Sequence, residues 1–225
     1  MKNFWTRLTT FWTASTLYRP YVMPFLVFGL LTYAGSDSLS PHAPYLIYPL
    51  KTVIVGALLY SYRRRYTELN LNFSWLALIV GILVFVIWVV PEGAYPLLGT
   101  PTGFHPYVYE RLWIVWSLLL FRFIGAVIVV PIMEELFWRS FALRWLIHEQ
   151  FTTVPIGKFT WFSCLVVVLG FGFEHHQWLV GLIAGIIYNG LVYYKKDLFT
   201  CVLAHAVTNL LLGIYVLMTH QWTLW

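Results

Sequence analysis

The sequence predicts an all-α fold: a polytopic transmembrane helical bundle of about seven spans, preceded by a short N-terminal amphipathic helix. Three observations carry that prediction. Hydrophobic residues make up 60% of the 225 and charged residues 10%, whereas a soluble domain needs roughly 25% charged residues to cover a surface that faces water. The apolar residues come in long runs separated by short polar stretches, which is the pattern of membrane spans. The bases stand at the ends of those runs, at Lys2, Arg7 and Arg19, at Arg63, Arg64 and Arg65, and at Lys195 and Lys196, as the positive-inside rule describes. The mean hydropathy of +0.74 agrees. The net charge of +5 is therefore a topology signal. No basic stripe interleaved with stacking aromatics accompanies it, so the partner is a lipid bilayer and no nucleic acid. Trp75, Tyr193, Tyr194 and Trp222 flank apolar runs as interfacial anchors. Cys164 and Cys201 lie within or beside apolar runs and make no disulfide framework.

Taken in chain order, Phe4, Trp5, Leu8, Phe11 and Trp12 recur at helical spacing with Lys2 and Arg7 among them. Residues 3–16 thus read as an amphipathic helix on the cytoplasmic leaflet, with no cleavable signal peptide. Seven apolar segments follow, at about 20–35, 44–62, 74–91, 111–147, 158–173, 178–194 and 198–219. The fourth is too long for one straight crossing. Its stretch from Leu112 to Ile147 would extend about 54 Å at 1.5 Å per residue, against a hydrocarbon thickness of about 30 Å. Splitting it near Pro131 would make eight spans. However, the sequence there has no turn chemistry, and a hairpin within lipid leaves backbone groups unpaired. Five crossings between the two basic clusters would also put them on opposite sides. One long helix, kinked or bent at Pro131, is the expectation. Its lower half, with Arg139 and Arg144, would approach the cytoplasmic surface and favour a pocket opening there. The stretch 92–110, rich in Pro and Gly, reads as an ordered outside loop. The whole chain, 1–225, forms one membrane domain with no internal repeat.

Ionisable side chains within spans cost at least ~2.5 kcal/mol each by insertion scales and are functional candidates by default. They concentrate in the second half of the chain: Glu134, Glu135, Arg139, His175, His176, His205, and the amide Asn209. Glu135 and Arg139 are one helical turn apart and suit an intrahelical ion pair. Glu134 is rotated about 100° from its neighbour, so one carboxylate can serve structure while the other faces a cavity. His205 and Asn209 share a face. Together these groups supply a base for water, a proton partner and donors for an oxyanion. Each also has a plainer reading: the Glu135–Arg139 pair as packing glue, a lone membrane His as structural, His176 as a lip residue, and Lys51 and Arg122 as cations snorkelling to an interface. Their joint occurrence favours chemistry.

The segments Glu134-Glu-Leu-Phe-Trp-Arg139, Phe171-Gly-Phe-Glu-His175 and His205-Ala-Val-Thr-Asn209 have the forms E-E-x-x-x-R, F-x-x-x-H and H-x-x-x-N. In that order, each on its own apolar segment, they resemble the CAAX-protease and bacteriocin-processing superfamily of intramembrane proteases, over a core at about 125–213. The stretches around them, with Tyr48–Lys51 and Arg63–Tyr66, are most similar to the bacterial CAAX-prenyl-protease-related proteins found alongside exosortase and PEP-CTERM sorting systems.

The resemblance implies an intramembrane endopeptidase of the bacterial cytoplasmic (inner) membrane, acting on a membrane-associated protein or peptide. In it Glu134 activates water with His175, His205 and Asn209 hold the oxyanion, and Glu135 and Arg139 shape the pocket. It implies no cofactor. A metal-dependent version would use zinc on Glu134, Glu135, His175 and His205, although H-E-x-x-H is absent. The non-enzymatic alternative is a scaffold or transporter-like protein assisting sorting. Against a transporter, the sequence lacks an inverted repeat and paired broken helices.

Overall fold

The computed structural model describes residues 15–35, 42–99 and 103–225. The amphipathic helix expected over 3–16 lies almost wholly outside the described residues, as does the N-terminal end of the chain. The rest is helical, with no strand among the described residues. Seven apolar helices follow in order: α1 (Ser15–Ala34), α2 (Ala43–Tyr62), α3 (Trp75–Val89), α4 (Leu112–Trp145), α5 (Trp161–Phe173), α6 (Trp178–Lys195) and α7 (Leu198–Thr219). By length and composition, α2 with its 3-10 extension to Arg65, α4, α6 and α7 each suffice to cross a membrane, while α3 and α5 are shorter apolar helices. Large apolar side chains cover the outside, among them Leu30, Leu46, Trp116 and Ile186. Glu135, Arg139, Ser140, Ser163 and Asn189 are fully buried. This inversion of the soluble pattern belongs to an integral membrane protein.

Helix starts and stops follow local chemistry. Thr160 caps α5 by accepting from the Ser163 amide at 3.2 Å, and Asp197 caps α7 by accepting from the Thr200 amide at 2.9 Å. Lys196 ends α6 in the left-handed conformation.

The long fourth segment is one helix, as the missing turn chemistry predicts, and it passes through Pro131 unbroken. Two π-helical stretches, Ile124–Val129 and Leu136–Ala142, flank the proline. In the first, the Val130 amide donates five residues back to the Gly125 carbonyl. Continued by one residue, that register calls for a donor at position 131, where proline has none. The Ala126 carbonyl takes its hydrogen bond instead from the Asn209 side-chain amide of α7, at 2.8 Å. A similar repair occurs in α1. Pro24 cannot donate to the Pro20 carbonyl, and the Tyr66 hydroxyl donates to it at 2.7 Å. In an apolar surrounding each such carbonyl must be satisfied internally.

The helices meet as α1 with α2, α5 with α6, and α7 with both α3 and the middle of α4. At one end of the bundle Tyr18 donates to the Glu149 carbonyl. Nearby, Glu68, in the loop after Arg63–Arg65, pairs with Arg144 at 2.9 Å, accepts from Tyr21 at 3.1 Å and accepts from Ser140. Arg144 therefore lies buried at this end. Arg139, expected near the surface, is instead fully buried in the interior, because its carboxylate partner is there. At the opposite end the loop after α3 docks on the α5–α6 turn. There the Leu98 amide donates to the His176 carbonyl at 2.9 Å, and Trp178 donates to the Pro96 carbonyl at 3.0 Å. His176, expected as a lip residue, is exposed there, and its Nδ1 bonds the Leu98 carbonyl.

The α3–α7 crossing is close because Gly81 has no side chain. A Cβ there would lie 2.6 Å from the Ala204 carbonyl oxygen and 2.7 Å from Val207 Cβ, the small-residue contact that lets membrane helices approach. Gly81→Leu is therefore expected to destabilise the protein by about 1–3 kcal/mol through overpacking. Gly29→Ala, whose Cβ would meet nothing within 4 Å, serves as the neutral control. Thermal unfolding in detergent reads the difference.

Candidate active site

Glu134 and Glu135 occupy adjacent positions on α4, and the helix turns them apart as predicted. Glu135 is fully buried, and its Oε1 accepts from Arg139 at 3.1 Å. The same oxygen accepts from His205 Nδ1 at 2.9 Å, so one carboxylate joins α4 to α7. The Arg139 guanidinium lies over the Phe171 ring at 4.1 Å and near that of Tyr188 at 5.3 Å. Tyr188 stacks on His205, ring centroids 5.3 Å apart. Its hydroxyl pairs with Thr208 at 2.8 Å, and Thr208 in turn donates to the Gly81 carbonyl at 2.9 Å. The polar groups around His205 thus tie α7 to α3, α4 and α6.

Glu134 points the other way, into a cavity of about 490 Å³ that it lines together with His175, His205 and Asn209. Its Oε2 is buried and accepts no hydrogen bond from any described residue, and it stands 4.0 Å from His205 Nε2. His175, just past the end of α5, donates Nδ1–H to the Phe171 carbonyl at 2.7 Å and packs edge-on to Trp88. A carbonyl only accepts, so the proton is on Nδ1 and Nε2 carries the lone pair. Contact with the Glu135 carboxylate places the His205 proton on Nδ1 in the same way. Both imidazoles are therefore anchored by Nδ1, leaving Nε2 for a reactant.

All six residues singled out from the sequence (Glu134, Glu135, Arg139, His175, His205 and Asn209) lie in this one region. Four line the cavity, while Glu135 and Arg139 stand behind it. The structure adds residues that the sequence did not single out. Glu174 accepts from Trp138 Nε1 at 3.0 Å, and its ligand atoms, with those of Glu134 and His175, lie within 4.8 Å of one another. That trio differs from the zinc set drawn from the sequence, because Glu135 is committed to Arg139 and His205. Glu174 lies within the F-x-x-x-H motif, at a position where the pattern accepts any residue. The cavity also contains Lys51 and Arg122, which the sequence reads as snorkelling cations. Lys51 does not reach an interface: it is 7% exposed, and its ammonium donates to Thr32 at 2.8 Å.

The cavity lining includes Gly35, Pro44, Gly103, Phe104, Leu224 and Trp225, all at the end opposite Arg63–Arg65 and Lys195–Lys196. The expectation of a mouth on the basic side rested on Arg139 and Arg144; Arg144 lies at that end, paired with Glu68, whereas Arg139 is buried in the interior.

An apolar helical bundle that aims a buried carboxylate and two oriented imidazoles into one cavity has the makings of a membrane-embedded hydrolase. Comparison with protein families makes this specific. Residues 114–211 match the family described as type II CAAX prenyl endopeptidase Rce1-like, and the matched segment contains all three motifs. The match does not extend to the narrower likeness to exosortase-associated proteins. No curated protein and no solved structure matches the chain.

Glu135 and Glu134 should respond differently to the loss of charge. Glu135→Gln leaves the buried Arg139 without its counter-ion and is expected to cost roughly 3–5 kcal/mol, as removal of one partner of a buried pair does. Glu134→Gln removes no hydrogen-bond partner and should unfold close to the parent temperature. Thermal unfolding of the two purified variants in one detergent checks this.

Proposed function

We propose that the protein is an intramembrane endopeptidase in which Glu134 activates the attacking water. The observation that carries this reading is the buried, unpartnered Glu134 Oε2 beside two imidazoles whose free nitrogens are Nε2. Glu134 takes a proton from water while the His175 Nε2 lone pair accepts from the same water, and the resulting hydroxide adds to the scissile carbonyl carbon. The oxyanion is held by His205 as imidazolium and by the second N–H of the Asn209 amide, whose first is used on Ala126. With His205 protonated, Glu134, Glu135, Arg139 and His205 sum to zero charge, which suits an apolar pocket. Collapse breaks the C–N bond, and the proton on Glu134 passes to the departing amine.

Orientation follows the positive-inside rule. The end with Arg63–Arg65 and Lys195–Lys196 faces the cytoplasm of a bacterium, and the N-terminus lies on the same side. Tyr18, on the first turn of α1, bonds at that end. The cavity then communicates with the opposite face, and the substrate is a membrane-associated protein or peptide approaching from there.

Protein termini compared by mass spectrometry in host cells without the gene, with it, and with Glu134→Gln test the reading. Specific termini are expected to vanish in the null and fall at least ~100-fold in the variant, the usual minimum for loss of a positioned general base. Full rescue by Glu134→Gln of a phenotype caused by the null would overturn catalysis and favour the scaffold reading.

The cluster of Glu134, Glu174 and His175 motivates a second reading in which a zinc ion activates the water. The two separate cleanly on purified protein. Under the glutamate mechanism, a strong zinc chelator and Glu174→Gln leave cleavage within a few-fold of the untreated parent. Loss in both, with restoration by added zinc, would replace that mechanism with the metal-dependent one.

A further inference from the structure

His205 presents Nε2 to the cavity, yet its Nδ1 hydrogen bond to Glu135 fixes only a single atom of the ring. The plane of an imidazole held at one atom is free to swing about that contact. In this structure a second contact occupies the ring's face. Tyr188 of α6 is 1% exposed and lines the same cavity as Glu134 and His205. Its ring stacks on His205 with centroids 5.3 Å apart and planes inclined by 23°. Phe171 of α5 stands edge-on to both rings, 6.2 Å from each. The phenol is itself anchored. Thr208 Oγ1 lies 2.9 Å from the Gly81 carbonyl and 3.1 Å from the Ala204 carbonyl, and both of these only accept. A hydroxyl has one proton, so Thr208 gives it to a carbonyl and accepts from the Tyr188 hydroxyl at 2.8 Å. The far end of Tyr188 is thereby tied through Thr208 to α7 and α3.

Ring-on-ring contact is directional as well as favourable, and direction matters at this position. Nε2 must meet an oxyanion whose other donor, the Asn209 amide, is already fixed by its bond to the Ala126 carbonyl. A group displaced by about 1 Å can cost ~100-fold in rate. We infer that Tyr188 is a positioning residue: its ring sets the plane of the His205 imidazole and so aims Nε2 into the cavity, while its hydroxyl holds the ring. The effect on rate rests on the endopeptidase reading, whereas the effect on His205 rests on the geometry alone. Tyr188 touches no reacting atom in this scheme, because Thr208 takes its hydroxyl proton. Removing the ring's face should therefore lower kcat and leave KM in place, and removing the hydroxyl alone should do little.

The test compares the full-length parent with Tyr188→Phe, which keeps the face, and with Tyr188→Leu and Tyr188→Met, which lose it, all in phosphatidylcholine nanodiscs. The probe is the member of an internally quenched apolar peptide library that the parent cleaves fastest, with folded protein in each sample counted by size-exclusion chromatography. Per folded molecule, kcat is expected to fall at least ~10-fold in Tyr188→Leu and Tyr188→Met with KM within about two-fold, and to stay within about three-fold in Tyr188→Phe. NMR of isotope-labelled histidine, with His205 assigned by its loss in His205→Gln, reads the orientation directly. One Nδ1–H tautomer, its ring protons shifted upfield by the phenol face, is expected in the parent and in Tyr188→Phe. A broadened or doubled signal is expected in the two aliphatic variants. Parent kcat in a folded aliphatic variant, an equal loss in Tyr188→Phe, or a raised KM at unchanged kcat would overturn the positioning role, the last by making Tyr188 a wall that contacts substrate. Where neither aliphatic variant folds, the parent decides: His205 ring protons without the upfield shift would overturn it. A parent that cleaves no member of the library while the NMR signals are as expected is a failure of the protease reading and leaves the orientation of His205 by Tyr188 upheld.

Discussion

Glu135 is the buried carboxylate to which this bundle brings both a cation and an imidazole donor. Its single Oε1 holds Arg139 of its own helix and His205 of α7. Arg139, unable to lose its charge, spreads its guanidinium over Phe171 of α5 and towards Tyr188 of α6. Four helices thus converge on one ion pair. Taking either charge away leaves the other uncompensated in low dielectric, a far larger penalty than the pair's own net contribution. The pair's value is positional: it fixes which way His205 faces and therefore what its free nitrogen meets.

A second constraint acts on the backbone. Prolines within membrane helices leave carbonyls that neither water nor lipid can satisfy, and this protein supplies side chains for two of them. Tyr66 serves the Pro20 carbonyl, tying the loop after α2 to α1. Asn209 serves the Ala126 carbonyl beside Pro131, tying α7 to α4 one turn from His205. The latter bond links the backbone irregularity of the long helix to the cavity, since π-helical stretches on both sides of Glu134 set the angle at which its carboxylate enters. The asparagine of the third motif is therefore part of the helix's hydrogen-bonding before any substrate arrives, with one N–H left over.

Polarity is distributed unevenly along the cavity. Glu134, His175 and His205 stand together in one part of it, and Lys51 of α2 and Arg122 of α4 line another.

The elements of the fold were legible in the sequence because they are local. An apolar run in lipid has little choice but to be a helix, and charge parity kept Leu112–Trp145 as one. The helical period likewise announced the Glu135–Arg139 pair and the shared face of His205 and Asn209. What required the tertiary structure is everything that crosses between helices. Examples are the use of Glu135 to orient His205, the repair of the Ala126 carbonyl, the approach of Glu174 to Glu134, and the placing of Lys51 and Arg122 against one Tyr48 ring, which the sequence could treat only as separate snorkelling cations. The depth of Arg139 belongs here too, since its pairing with Glu135 holds it in the interior and not at the surface its charge suggested. The physical reason is that period and hydrophobicity act within a segment. Lipid is as apolar as a neighbouring helix, so hydrophobicity does not select the partners of each face; close packing and polar pairing do, and they bring together residues far apart in the chain.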